Sequence, residues 1–307
     1  MNVLSLFNGM SFCSMALESL GVNVDKMYSS EIDKYANQAT QAMFPDTVQL
    51  GDVTGWREWD IDWTSIDLVT GGFPCQAWSM AGKQLGDKDE RGMLFWVMLD
   101  IIKHVKWANP KAKFLIENVK MKKEFEEYIT THTENALGKV YKILINSALV
   151  SAQNRNRYYW TSFEVEQPED RLIVLNDIIE VPCHDENSSG WHNWWEINKD
   201  FQIKKSYSAI CNDGSRDKAI TLTARQYASW NGNFILVRST CKFIGMKRID
   251  SDVYRKLTVR ENMRLQTVPE HHIDTLLSAG ISNTQLYKMC GNGWTMEVIK
   301  HIFKALA

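Results

Sequence analysis

The residue best placed for chemistry is Cys75. The apolar run 66–70 predicts a buried strand, and a short connection ending in the rigid Pro74 leads from this strand to the thiol. The polar, glycine-containing segment 76–95 that follows is long enough to be a lid or a binding loop. A thiol at the carboxyl end of a strand, beneath such a loop, is suited to nucleophilic catalysis. The alternative is an inert cysteine, because free cysteine is among the most buried residue types.

Three carboxylates share this position relative to the predicted strands. Glu31, Asp52 and Glu117, like Cys75, each follow directly after a run that predicts a strand. Helical spacing of apolar residues separates these runs, and the alternation predicts an α/β fold with a doubly wound, mainly parallel sheet. The carboxyl ends of parallel strands meet at one edge of such a sheet, so a cofactor and a substrate are expected to meet there.

The first turn has the layout of a nucleoside-binding unit. The strand 3–7 leads into Gly9, a helix follows, and the second strand ends in Glu31, 22 residues after Gly9. A carboxylate at this strand end binds a ribose diol in dinucleotide-binding folds. The complete GxGxxG pattern is absent, because Ser11 and Phe12 occupy its later positions. The pattern alone therefore leaves the detailed contacts of the turn open.

The composition is that of an ordinary globular protein. The 307 residues are 44% hydrophobic and 23% charged, and no apolar run approaches the length that spans a bilayer. The first ten residues lack a basic start and a cleavage site, so no signal peptide is expected. Six widely spaced cysteines without a CxxC pair argue against a zinc site or a disulfide framework, and for a reducing compartment. Neither a metal nor a membrane is expected as a partner.

A change of pattern divides the chain into two predicted domains. Residues 1–163 together with 255–307 form the first. Residues 164–254 lack the alternation of strands and helices and are predicted to form a smaller domain of strands and loops. Four tryptophans of this segment are expected to form its core rather than platforms for stacked bases, namely Trp191, Trp194, Trp195 and Trp230.

The charges of the smaller predicted domain are unevenly distributed. Residues 164–200 contain ten acids and two bases, whereas residues 201–248 contain nine bases and two acids. The excess of seven positive charges in the second stretch is typical of a surface that contacts phosphates. The alternative is a solvated surface without a nucleic-acid partner, which charge counting does not exclude.

Residues 72–92 read GFPCQAWSMAGKQLGDKDERG and resemble the catalytic motif and active-site loop of the DNA cytosine carbon-5 methyltransferases. Further segments match motifs of that family in its order: Phe7-Asn8-Gly9, Glu117-Asn118-Val119, Gln153 to Arg157, and Gly291-Asn292-Gly293. The resemblance spans residues 4–303 and is weak only over 164–254, where the family varies. It implies the Rossmann-like fold of class I S-adenosylmethionine-dependent methyltransferases, with a target recognition domain at 164–254.

The resemblance also implies the reaction, which is methylation of carbon 5 of a cytosine flipped out of DNA. Cys75 would attack carbon 6 of the base, and Glu117 would act at ring nitrogen 3. Arg157 would contact oxygen 2, with Arg155 as its supporting partner. Without the resemblance, two arginines pointing the same way from an extended chain would be read as a salt-bridged surface pair.

The cofactor implied by the resemblance is S-adenosyl-L-methionine. It carries no phosphate, so the first helix needs no phosphate site. Glu31 matches the family's ribose ligand, and Asp52 matches its contact to the adenine amino group. The complete set of cofactor-binding candidates is Phe7, Asn8, Gly9, Glu31, Ile32, Asp52, Val53, Pro74, Asn292, Gly293 and Trp294.

Target reading is assigned to the basic stretch. Residues 219–225 resemble the strand that leads into the family's target recognition loop, which would be 225–234. Arg225 has the fork geometry to bond a guanine next to the modified cytosine, as in the sequence CG. The alternative is a phosphate contact, since half or more of protein–DNA hydrogen bonds go to the backbone and sugar. The DNA-binding candidates are Gln76, Ser79, Arg225, Gln226, Tyr227 and Asn231.

Two branches of the family share features with this chain. The motif around Cys75 looks like that of bacterial and phage modification enzymes, whereas 151–160 and Trp294 look like the animal de novo branch. Without chromatin-reader modules, a stand-alone cytoplasmic monomer of prokaryotic or phage origin, acting on double-stranded DNA, is expected. One alternative is a transfer-RNA cytosine-5 methyltransferase, which the basic stretch disfavours. The other is an inactive DNA-binding paralogue, which the joint presence of Cys75, Glu117 and Arg157 disfavours.

Overall fold

The computed structural model describes residues 1–74, 92–180, 195–196, 208–211, 217–228, 231–244 and 247–306. For residues 195–196, 208, 210, 236–244 and 247–254 it describes only the backbone. Within these ranges the strands form two sheets, one of seven strands and one of four.

The strands of the larger sheet are β1 Asn2–Leu6, β2 Lys26–Ser30, β3 Val48–Gln49, β4 Ile66–Gly71, β5 Lys113–Val119, β6 Tyr141–Asn146 and β7 Asn156–Thr161. Their spatial order is β3-β2-β1-β4-β5-β7-β6. Every pair from β3 to β5 is parallel, whereas β7 runs antiparallel to both of its neighbours, β5 and β6. The predicted mainly parallel α/β sheet is therefore confirmed, with one reversed strand next to its edge.

Alternate residues of the central strands enter two different cores. Val3 and Leu68 lie in one buried cluster, while their sequence neighbours Leu4 and Val69 lie in the other. This follows from the two-residue period of a strand. Because the central strands are buried on both faces, they read as continuous apolar runs, which is why the sequence reveals them.

The helices cover both faces of the larger sheet. They are α1 Phe12–Ser19, α2 Lys34–Met43, α3 Leu94–Ala108, α4 Lys123–Leu137, α5 Val259–Leu265, α6 Glu270–Ser278, α7 Asn283–Asn292 and α8 Met296–Phe303. Helices α3 and α4 pack on the face of Leu4, and the others pack on the face of Val3. The last helix, α8, packs beside α1. None of the helices in the described ranges is long and apolar enough to cross a membrane.

Helix starts are specified locally. Asp33 Oδ1 accepts a hydrogen bond from the Tyr35 amide at 2.9 Å and so caps α2. Thr258 and Glu261 form a reciprocal capping box at the start of α5. The buried Arg255 pairs with the same Glu261 at 2.6 Å, which fixes the point where the chain re-enters the helices.

The smaller sheet contains β8 Trp195–Glu196, β9 Ser208–Cys211, β10 Gly232–Ile244 and β11 Lys247–Lys256, in the order β8-β11-β10-β9. Strands β10 and β11 form an antiparallel hairpin, and β9 pairs in parallel with β10. Two predicted boundaries are wrong. The loop expected at 225–234 ends earlier, because β10 begins at Gly232, and the strand expected at 219–225 makes only an isolated bridge between Ala219 and Gln153.

Residues 164–180 contact the larger sheet and its helices. Leu175 is buried in the same cluster as Val3, and Arg171 pairs with Glu297 of α8 at 2.7 Å. The division of the chain at residue 164 stays a prediction. The tryptophans expected in the core of the smaller domain lie outside the described side chains.

Candidate active site

A cleft of about 530 Å³ opens at the carboxyl ends of β1, β2, β4 and β5. Three predicted catalytic residues line it, Glu117, Arg155 and Arg157. So do all the predicted cofactor-binding residues, namely Phe7, Asn8, Gly9, Glu31, Ile32, Asp52, Val53, Pro74, Asn292, Gly293 and Trp294. The structure therefore gathers residues from both ends of the chain around one cavity.

The turn between β1 and α1 is held by Glu31. Its Oε2 accepts a hydrogen bond from the Gly9 amide at 2.8 Å. Its Oε1 accepts from the amides of Ile32 and Asp33, both at 2.8 Å. Phe7, at the entry to the turn, has a positive φ of 53°, a conformation that is strained for a residue with a side chain. The carboxylate thus stabilises a strained turn while it lines the cleft.

Ser11 stands where the dinucleotide-binding pattern has glycine, and its side chain is used for buried hydrogen bonds. Its Oγ lies 2.7 Å from Thr40 Oγ1 and accepts from Asn8 Nδ2 at 2.9 Å. Asn8 Oδ1 has no hydrogen-bond partner in the described part of the chain, although Asn8 is buried and lines the cleft. A buried acceptor of this kind requires a donor from a ligand or water.

The opposite wall combines an acid with apolar surface. Asp52 caps the short helical turn Val53–Glu58, where its Oδ1 accepts from the Thr54 amide at 2.9 Å. Ile32, which lines the same cleft and follows Glu31 in sequence, is 76% exposed. An uncovered aliphatic side chain next to a carboxylate suits a purine ring that carries an amino group.

Glu117 is buried at the other end of the cleft, between two donors. Arg157 Nε lies 3.1 Å from Oε1, and the Trp294 indole N–H donates to Oε2 at 3.1 Å. Burial raises the pKa of Glu117, although both donors and the more distant Arg155 oppose this shift. The protonated acid is therefore favoured more than in an exposed glutamate, which suits a group that delivers a proton.

Arg155 does not contact Glu117 but holds the backbone of two loops. Its Nη2 donates to the carbonyl oxygens of Gly293 at 2.6 Å and Gly291 at 3.2 Å. Its Nη1 donates to the Leu222 carbonyl oxygen at 3.0 Å. These contacts hold loop backbone rather than Arg157, so the supporting role predicted for Arg155 at oxygen 2 stays a prediction.

Two residues missed by the sequence prediction act on the segment 72–74, which precedes Cys75 in sequence. Asn118 Nδ2 donates to the Phe73 carbonyl oxygen at 3.0 Å and so positions the chain just before Pro74. At Gly72 an added Cβ would lie 2.8 Å from Glu117 Oε2, so a residue with a side chain would displace the carboxyl group. Asn118 belongs to the Glu117-Asn118-Val119 motif, which was the available signal. Cys75, Gln76 and Ser79 themselves lie outside the described residues.

Two other thiols are unsuitable as nucleophiles. Burial raises the pKa of both Cys13 and Cys290 to about 12, so neither forms a thiolate at neutral pH. Cys211 is buried as well.

The glycines of the 291–293 motif permit close packing. A Cβ on Gly291 would lie 2.1 Å from the Thr223 backbone, and one on Gly293 would lie 2.1 Å from the Phe12 ring. The end of α7 can therefore press against both α1 and the segment that leads to Arg225.

The predicted DNA-binding residues Arg225, Gln226, Tyr227 and Asn231 are not among the residues that line the cleft. Arg225 is exposed and Tyr227 is 46% exposed, whereas Gln226 is 3% exposed. Lys256 Nζ donates to the carbonyl oxygens of Gln226 at 2.9 Å and Ala228 at 2.7 Å. These hydrogen bonds fix the backbone turn at 225–228. The geometry thus offers Arg225 and Tyr227 to a partner and gives Gln226 an interior position.

One group of side chains in the described ranges could present metal ligands: Glu18, His271 and His272. None of the three lines the cleft. His272 Nε2 lies 2.6 Å from Glu18 Oε2, so the buried imidazole already has a hydrogen-bond partner in the carboxylate. This group links α1 to α6.

The sheet order, the reversed β7 and the position of the cleft define an α/β fold of the methyltransferase class. The solved methyltransferase EhMeth of Entamoeba histolytica has this fold, with a TM-score of 0.71 at 17% identity over 100% of this chain and 97% of that one. The family model of C-5 cytosine-specific DNA methylases matches residues 1–307. The chain belongs to this family and is a DNA cytosine-5 methyltransferase.

Bacterial type II methyltransferases are among its relatives. M1.ScrFI of Lactococcus lactis subsp. cremoris is 32% identical over 302 residues, which cover 91% of this chain and 71% of that protein. M.NlaX of Neisseria lactamica is 30% identical over 321 residues, with 98% and 94% covered. The predicted family and enzyme class are thereby confirmed, and the DNA enzyme is favoured over the transfer-RNA alternative.

Proposed function

We propose that the cleft binds S-adenosyl-L-methionine beside a flipped-out cytosine, and that Cys75, Glu117 and Arg157 carry the methylation of carbon 5. The observation that carries this proposal is the buried Glu117, paired with Arg157, in the same cleft as the carboxylates of Glu31 and Asp52. A proton-holding acid at one end and a nucleoside-type site at the other suit a reaction between a base and an adenosine-containing methyl donor.

The cofactor end fits this donor in its chemistry. Glu31 is assigned to the ribose hydroxyls and Asp52 to the adenine amino group, while the unpartnered Asn8 Oδ1 suits the methionine ammonium. The exposed Ile32 supplies an apolar wall for the purine. S-adenosyl-L-methionine has no phosphate, which agrees with a turn that uses Ser11 for internal hydrogen bonds. When bound, it supplies an electrophilic methyl group on a sulfonium.

The residues at the other end activate the base. Cytosine carbon 5 is a poor nucleophile until a thiolate, assigned to Cys75, attacks carbon 6 and makes carbon 5 enamine-like. Negative charge then develops toward ring nitrogen 3, where the buried Glu117 supplies a proton or a strong hydrogen bond. Arg157 offsets charge at oxygen 2. After methylation, a base such as water removes the carbon-5 proton, and Cys75 leaves with the electron pair of its bond.

Duplex DNA is the proposed substrate form. The reaction requires a base that has left the helix, and the positive stretch 201–248 suits the phosphates that flank it. Arg225 and Tyr227 are the exposed side chains proposed to contact DNA, together with Asn231, Gln76 and Ser79. We expect a monomer in the cytoplasm of a prokaryote or of a phage-infected cell.

The test replaces the nucleophile by Cys75→Ser. The hydroxyl is a much weaker nucleophile at neutral pH, so transfer of a labelled methyl group to DNA should be abolished while cofactor binding, measured by calorimetry, is retained. A duplex with 5-fluorocytosine should trap the wild-type protein covalently, because fluorine is not eliminated as a proton is. Cys13→Ala is the matched control and should still be trapped.

Two results would contradict the proposal. Trapping that persists in the Cys75→Ser variant would place the nucleophile elsewhere. Methyl transfer to transfer RNA but not to DNA, in parallel reactions with the wild type, would replace the substrate.

A further inference from the structure

We propose that Trp294 is a positioning residue for Glu117, and that Arg155 acts with it by fixing the loop from which the indole reaches the acid. The inference rests on the proposed function, because it gives Glu117 its task. It adds to the cofactor contact expected of Trp294 a role in the orientation of the group that protonates the base.

The contact is geometrically specific. The indole N–H donates to Glu117 Oε2 at 3.1 Å, on the side of the carboxyl group opposite the Arg157 contact to Oε1. Two donors on different oxygens fix both the position and the rotation of the carboxyl plane. Gly72 lies against the pair, since a Cβ there would be 2.8 Å from Glu117 Oε2 and 3.0 Å from Trp294 Nε1. The arrangement therefore has little room to relax.

The loop that carries Trp294 is itself fixed by side chains that hydrogen-bond to its backbone. Arg155 donates to the carbonyl oxygens of Gly291 and Gly293, and Gln266 Nε2 donates to that of Cys290 at 2.5 Å. The same Arg155 guanidinium bonds the Leu222 carbonyl oxygen, on the segment that leads to the proposed target loop. The acid is thus connected through Trp294 and Arg155 to the backbone that presents Arg225.

The indole N–H has an electrostatic effect as well as a steric one. A donor to a carboxylate stabilises its charged form, so Trp294 lowers the pKa of Glu117 against the larger, raising effect of burial. Loss of this donor alone should leave an acid that is less well oriented and that keeps its proton to higher pH. A residue that only fills space would not change the pH dependence.

The experiment compares Trp294→Phe and Trp294→His by single-turnover methylation of duplex DNA between pH 6 and 10, at saturating cofactor. Phenylalanine removes the N–H, whereas histidine keeps an N–H at the same place in its five-membered ring. We expect Trp294→Phe to be about 10-fold slower at neutral pH. The fall of its methylation rate at high pH should shift upward by about one pH unit, which is the scale of one hydrogen bond to a charged group. Trp294→His should return this fall toward the wild-type position.

The outcomes separate this inference from the proposed function. Glu117→Gln is measured in parallel, and a wild-type rate in that variant would refute the proposed role of Glu117. If Glu117→Gln is slow but the methylation rate of Trp294→Phe depends on pH as in the wild type, whatever its absolute value, the positioning role is refuted. A loss confined to cofactor affinity, measured by calorimetry, would assign Trp294 to the cofactor alone. Equal behaviour of the Phe and His variants would also overturn the role of the N–H.

Discussion

The two ends of the cleft hold their carboxylates in different ways. At the cofactor end, Glu31 and Asp52 accept hydrogen bonds from backbone amides, most of them one or two residues away in sequence. At the base end, Glu117 is held by the side chains of Arg157 and Trp294, the latter 177 residues away. The first end is built from local turns, whereas the second exists only when remote parts of the chain have assembled.

The cofactor end is therefore expected to resist substitutions, whereas the protonation of Glu117 at the base end is sensitive to its neighbours. Only a substitution by proline removes a backbone amide, so the cofactor end tolerates most side-chain changes elsewhere in the protein. The base end places an acid and a guanidinium in a buried site, where the balance between desolvation and charge sets the protonation state. We therefore expect substitutions near Glu117 to change the chemical step, and substitutions near Glu31 to change cofactor binding.

Among the substitutions that compare the two ends of the cleft, Gly72→Ala is expected to slow the chemical step most. Its new Cβ would overlap Glu117 Oε2 and crowd the Trp294 indole, so the acid must move. A displacement of this kind can cost about 10²-fold in rate, and we expect that loss in single-turnover methylation with cofactor affinity nearly unchanged. Gly55→Ala is the matched control, since a Cβ there meets no atom within 4 Å. A Gly72→Ala enzyme with the wild-type rate would show that the base end is as tolerant as the cofactor end.

The same difference explains what the sequence could predict. The strand ends that carry Glu31 and Glu117 follow from local runs, because strands buried on both faces are continuous in sequence. Asp52 follows the edge strand β3, whose two residues are not buried, and its role comes from the family resemblance. The cofactor turn follows from nearby spacing and from the family resemblance. These predictions concern residues that are placed either by contacts with residues nearby in sequence or by their position at the same edge of the sheet.

The remaining features depend on contacts that no local pattern encodes. Arg155 was expected to assist Arg157, yet its guanidinium bonds the backbone at Leu222, Gly291 and Gly293. The family resemblance predicted a strand at 219–225, but Ala219 and Leu222 are buried in the larger core, and among the described residues the segment makes only an isolated bridge. In both cases contacts with parts of the chain that are distant in sequence determine the outcome, and a local sequence pattern does not reveal which residues make those contacts.

At the cofactor end, Glu31→Ala is expected to change cofactor binding rather than the chemical step. The change removes a charge-assisted hydrogen bond to the ribose, so affinity for S-adenosyl-L-methionine should fall by about 1.5–3 kcal/mol in calorimetry. Thermal stability should fall too, because Gly9 loses its acceptor. The exposed Glu58, outside the cleft lining, provides the control Glu58→Ala. Lower stability with unchanged affinity would show that Glu31 only supports the turn.

The smallest effect on total activity is expected from substitution of Arg225. The turn that carries Arg225, like the base end of the cleft, is held by a side chain that is distant in sequence. Lys256 fixes the carbonyl oxygens of Gln226 and Ala228, so the turn keeps its shape when Arg225 is changed. Two variants then distinguish the two roles open to the exposed arginine. A guanine reader needs the bidentate fork, so Arg225→Ala and Arg225→Lys should both lose ~1–3 kcal/mol of discrimination at one base next to the cytosine.

A phosphate contact needs only the charge, so Arg225→Lys should then behave like the wild type. In that case Arg225→Ala should weaken binding to all sequences alike and lower the salt dependence by about one unit of slope. Bisulfite sequencing of a randomised duplex, treated with wild type and both variants, measures the discrimination directly. A guanine preference that relaxes in both variants would show that specificity, like the protonation of the base, depends on a side chain held in place by distant parts of the chain. An identical motif from all three proteins would remove Arg225 from base reading.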